Sequence, residues 1–169
     1  MNPTIWVLLL AIAIFLVYLY KQYQQKHSFA KKAELKVQVF LDQKLSEHSK
    51  HYGCIIFQLP KYHEQLKEVV ITSVRSSDKS MRINNFDKLN FFIVPGRTIE
   101  SAKRSIGFYI SNASFNKNLT TSNDLLIKGY FISLDNTRTS FLKSSNYQME
   151  SMDASELNPI HRADKLSLQ

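Results

Sequence analysis

Phe29-Ala-Lys-Lys-Ala33-Glu-Leu-Lys-Val37-Gln-Val-Phe40-Leu41-Asp-Gln-Lys-Leu45 is the stretch on whose periodicity the expected architecture turns. Phe29, Ala33, Val37, Phe40, Leu41 and Leu45, followed by His48 and Tyr52, recur at three- and four-residue steps. Lys32, Lys36, Gln43, Glu47 and Lys50 fall elsewhere. Steps of that size gather side chains on one helical face, so the spacing predicts an amphipathic helix. No Gly or Pro interrupts the chain from Thr4 to Tyr52. Asn2 stands where an N-cap is favoured, Pro3 where a first helical residue tolerates Pro, and Gly53 where a C′ glycine ends a helix. One nearly continuous helix of about 75 Å is expected, with 24–52 as its amphipathic stalk. The polar run Gln24 to Ser28 is the place for a break.

Upstream of the stalk lies Ile5-Trp-Val-Leu-Leu-Leu-Ala-Ile-Ala-Ile-Phe-Leu-Val-Tyr-Leu-Tyr20, without a charge or a strongly polar side chain. As a helix it rises about 24 Å against the roughly 30 Å of a hydrocarbon core. Thr4 to Tyr23 closes that gap if Lys21 snorkels to the headgroups. Trp6 at one end and Tyr18, Tyr20 and Tyr23 at the other fit interfacial belts. A cleaved signal peptide fits poorly, because Met-Asn-Pro-Thr lacks Lys and Arg and no Ala-x-Ala site follows. The sequence therefore predicts a transmembrane anchor over 1–23. Lys21, Lys26, Lys31, Lys32 and Lys36 follow it with no basic side chain before it, which predicts a cytoplasmic C-terminal domain. The opposite orientation would expose the Asn112-Ala-Ser and Asn118-Leu-Thr sequons to a lumen.

What remains of the 169 residues holds one small domain. Cys54 is the single cysteine, which excludes an internal disulfide. A net charge of +8 raises nucleic acid as a partner. The lysines concentrate between Lys21 and Lys67, beside the expected bilayer, while Glu150 to Asp164 leans acidic, so anionic lipid accounts for the charge and nucleic acid is set aside.

Downstream, β-branched and aromatic runs predict strands at Cys54–Leu59, Val69–Arg75, Met81–Asn84, Leu89–Val94, Ile106–Ser111, Leu125–Leu134 and Arg138–Leu142. Asp135-Asn136 marks a hairpin, Thr98 to Ser105 reads as a short helix, and Lys61 to Glu68 as about one turn. Phe91-Phe92 and Tyr130-Phe131 must point to opposite faces of their strands, so both sheet faces are covered or an aromatic patch is open to a partner. The fold expected is α+β: a transmembrane helix, a long amphipathic helix, and a small antiparallel sheet over 53–143 on which that helix packs. A disordered tail is expected over 144–169, where apolar periodicity fades. In outline this plan is similar to that of type IV pilin-like subunits. Their processed leader and the glutamate early in their apolar helix have no counterpart here, so no residue role is carried over.

His48-x-x-His51-x-x-Cys54 is the most specific chemical cluster. On a helix it would set two imidazoles and a thiol near one another, a zinc-type donor set without the second ligand pair of recognised sites. Histidines at a helix C-terminus and a packed cysteine explain the same residues without a metal. No nucleophile elbow and no glycine-rich phosphate loop occurs, so no catalytic residue and no cofactor is expected. Arg97, Lys103 and Arg104 form a basic group suited to an acidic partner or to lipid headgroups. The function expected is that of a single-pass, non-enzymatic scaffold that binds another membrane-associated protein. The alternatives are a tethered module for lipid or a small ligand and, were the domain outside the cytoplasm, a pilus- or secretion-type envelope component.

Overall fold

The computed structural model describes residues 3–42, 50–93, 103–111 and 122–152. The chain opens with helix α1, Pro3–Lys32, of 30 residues. Nine strands follow: β1 (Ala33–Asp42), β2 (Lys50–Tyr62), β3 (Leu66–Ser76), β4 (Met81–Ile83), β5 (Leu89–Phe92), β6 (Lys103–Ser111), β7 (Asn123–Ser133), β8 (Arg138–Tyr147) and β9 (Met149–Met152). They form a five-stranded sheet in the order β4-β6-β2-β1-β9 and a four-stranded sheet in the order β5-β3-β7-β8. All pairings are antiparallel except that of β1 with β9. One continuous core lies between the sheets, with Val39, Ile55, Phe57, Phe108 and Ile110 from the first and Val69, Ile71, Phe91, Ile127 and Phe131 from the second. The architecture is a β-sandwich.

This overturns the expected α+β fold with its long amphipathic helix. The helix ends at Lys32, and Ala33 begins a strand without an intervening residue. Within β1, Glu34, Lys36 and Gln38 alternate with Leu35, Val37 and Val39, a period of two that suits β-branched residues. Pairing against β2 carries that alternation, with Val39 opposite Ile55 and Leu41 opposite Gly53. Gly53 is accordingly no helix cap. It lies mid-strand opposite Phe108, whose ring occupies the space a Cβ would take. Gly129 and Phe141 repeat the arrangement in the second sheet.

The transmembrane element is corrected as well: among the described residues no helix is long and apolar enough to cross a membrane. The apolar part of α1 ends at Tyr20, and the last turns carry Lys21, Gln24, His27, Lys31 and Lys32. Three boundaries also shift. The expected stalk of 24–52 is divided between α1, β1 and the start of β2, with 43–49 outside the described residues. Regular structure runs past 143 to the end of β8 at Tyr147 and through β9, and the rest of the expected tail, 153–169, lies outside the described residues. Of the short helix expected over 98–105, residues 103–105 open strand β6 and the others lie outside the described residues.

Candidate functional site

Helix α1 joins the sandwich along the edge strand β8. Phe29, in its last turn, stacks on Phe141 with ring centroids 4.0 Å apart and lies 6.3 Å from Phe131. All three are core residues, so the end of the helix is fixed by apolar burial. Three turns earlier the helix is no longer in the core, and two open hollows lie between it and the second sheet. One, of about 370 Å³, has Tyr18, Lys21, Lys128, Tyr130, Arg138 and Ser140 in its walls. The other, of about 870 Å³, has Tyr20, Lys21, Tyr23, His27, Lys31 and Arg138. Lys21 and Arg138 stand in both, as a shared wall.

Register explains why sheet residues meet there. Tyr130 pairs with Ser140 and Lys128 with Leu142, and in β7 Tyr130 and Lys128 alternate with the buried Ile127, Gly129 and Phe131. They therefore project from the outer face of the sheet. The Arg138 guanidinium lies 3.5 Å from the centroid of the Tyr130 ring, a cation–π contact that orients its donors. Lys32 at the far end donates to Gln65 Oε1 at 3.2 Å. Lys21, Lys31 and Lys128 are exposed and have no ion pair among the described residues. No Asp or Glu lines either hollow. Asp135, in the neighbouring β7–β8 turn, is held below its usual range by the Thr137 amide it accepts from, with a lesser contribution from Lys32. The region is a basic, tyrosine-lined cleft able to hold an anion.

The other expected site residues are scattered. Trp6, Tyr18, Tyr20 and Lys21 are exposed along α1. His48 and Arg97 lie outside the described residues. His51 and Cys54 are three apart in β2, so their side chains leave opposite faces of the sheet. Among the described residues no group of three His, Cys, Asp or Glu side chains is placed to hold a metal. Cys54 is buried beside Phe40 and Ile56, and burial pushes its thiol up to about 11, with Asp42 adding to the effect. Such a thiol is protonated and shielded, a packing residue and no nucleophile. Arg104 donates to the Asn90 and Lys103 carbonyl oxygens at 3.1 Å and lies 5.9 Å from the Phe91 ring, so it ties β6 to β5. Lys103 is exposed.

Sequence reasoning missed Lys128, Tyr130 and Arg138 as site residues. A single charge on an otherwise apolar strand reads as a solvated face, and nothing local connects it to Lys21. No protein-family model matches the chain, and no curated protein is similar to it.

Proposed function

We propose that this chain is a membrane-tethered, non-enzymatic β-sandwich protein that binds another protein at the membrane surface. The observation that carries it is the exposure of α1. Its large apolar side chains from Ile5 to Tyr20 are between 45 % and 69 % exposed, on every side of the helix, while the sandwich closes its own core without them. An apolar surface of that extent needs apolar surroundings. A bilayer supplies them, and the tether proposed is insertion of this apolar surface into the lipid, with Lys21 reaching the headgroups. The flanking lysines are attracted to an anionic lipid surface, which makes the cytoplasmic leaflet the side proposed for the sandwich.

The protein-binding part of the reading is supported by the outer face of the second sheet. Phe92 is 61 % exposed while its neighbour Phe91 is buried. Phe92 lies in one cross-strand row with Glu68 and Ile132. The buried Cys54 thiol, on the opposite face of β2 from His51, is no nucleophile for that pair.

Alkaline extraction of membranes tests the tether. The full chain is expected to stay in the pellet, whereas a Leu8→Lys/Phe15→Lys double variant moves to the supernatant; wild-type protein in the supernatant overturns the reading. A photo-cross-linking residue at Phe92 tests the partner, with a discrete adduct expected in native membranes and none from Lys79 in the β3–β4 turn. Failure to cross-link at Phe92 overturns the assignment of that face.

A further inference from the structure

We propose that the basic cleft between α1 and the second sheet binds the phosphate of an anionic phospholipid headgroup. The inference rests on the tether proposed above and assigns the cleft a ligand class. Lys21 is the first residue after the apolar stretch that ends at Tyr20, so the mouth of the cleft falls where the hydrocarbon of a bilayer gives way to headgroups. Across from it stand Arg138 and Lys128, more than a hundred residues later in the chain, and Lys31 closes the far end.

Helix-borne lysines beside a bilayer need no site to explain them. Arg138 and Lys128 do, because they belong to the sandwich, and Arg138 lines both hollows with Lys21 while Lys128 lines the smaller one. Lys21 and Arg138 line both hollows, Lys128 the smaller and Lys31 the larger, and no carboxylate lines either. Mutual repulsion among cations lining one hollow is relieved by an anion. Arg138, oriented over Tyr130, presents a fork that matches phosphate oxygens, and Lys21 adds a point charge. Tyr20 and Tyr23 offer hydroxyl donors at the same rim. At about 370 and 870 Å³ the hollows have the size of ligand sites, and Tyr18 and Tyr20, at the end of the apolar stretch of α1, stand in their walls.

The test uses the full chain in phosphatidylcholine vesicles containing either spin-labelled phosphatidylglycerol or spin-labelled phosphatidylcholine. A preference of the protein-restricted spectral component for phosphatidylglycerol is expected. Arg138→Gln and Lys128→Gln should each lower that preference by up to about fivefold, the factor that corresponds to the usual contribution of one basic residue at a membrane surface. Arg138→Lys should retain most of it, and Lys88→Gln, away from the cleft, all of it. Equal restriction of the two labels, or a preference unchanged by both sandwich variants, overturns the proposal. So does its abolition by millimolar inorganic phosphate, which assigns the cleft to a soluble anion, or by an added polyglutamate peptide, which assigns it to an acidic protein segment. Flotation of the same vesicles separates the two readings. Protein that floats without selectivity defeats this inference alone, and protein that does not float defeats the tether.

Discussion

A Cβ on Gly129 would collide with the Val70 carbonyl oxygen and come within 2.8 Å of Phe141 Cζ. Both are held, one by a paired strand and the other by stacking on Phe29. Gly129→Ala is therefore expected to lower unfolding stability by about 1–3 kcal/mol, the usual cost of overpacking, in urea titration. Gly107→Ala makes the contrast: its Cβ meets Asn84 Nδ2 at 2.7 Å, the end of an exposed side chain free to turn aside, so a much smaller loss is expected. Cys54 gives a prediction in pH. Its folded thiol is pushed to about 11 from an ordinary value of 9.0, so the folded state favours the neutral form. The resulting stability is present below pH 9 and is lost as pH rises toward 11. The stability advantage of wild type over Cys54→Ala should narrow between pH 8.5 and 11; an advantage constant across that window would refute the assignment.

Among the elements, the hairpin and most strands are legible from sequence because their signals are local. Asp135-Asn136 forms the β7–β8 turn, with Asn136 at φ 62°, a left-handed conformation that asparagine tolerates. Cys54 to Leu59 falls within β2, and the opposed faces of Phe91 and Phe92 follow from the pleat alone. The segment after Phe29 is not legible in that way. Phe29, Ala33, Val37, Phe40 and Leu41 satisfy a helical period, but Leu35 and Val39, left out of that stripe, are both buried. Two periods coexist in one segment, and the partner strand β2 decides between them, which no local pattern encodes. Phe29 itself remains helical and is the clasp between α1 and the sandwich. Phe29→Ala should cost about 3–5 kcal/mol in thermal or urea unfolding, as large-to-small core changes do. It should also raise protease cleavage around Lys31 and Lys32, since the helix end loses its anchorage in the core.

At the scale of the whole molecule, the sheet orders predict where the backbone opens last. β2 lies between β6 and β1, and β7 between β3 and β8, whereas β4, β5, β8 and β9 are edges. Hydrogen exchange should be slowest at Ile55, Phe57 and Ile127, buried on central strands, and faster at Leu89 and Arg82 on the edges. Slow exchange at the edges and fast exchange at the centre would contradict the topology. The cleft belongs to this scale too, which is why it could not be read from the sequence. Lys21 and Arg138 are brought together by the path of the helix along β8, and a residue separation above one hundred leaves no periodic trace.

Helix α1 passes into β1 with no linker, and Tyr18 and Lys21 already wall a hollow against the second sheet. With the helix in a bilayer as proposed, the sandwich does not stand off on a stalk but rests against the lipid surface. A partner for the outer face of that sheet then meets it by diffusing in the plane of the membrane. Encounter becomes a two-dimensional search, governed by copies per unit area of membrane and indifferent to the volume of the compartment beyond it.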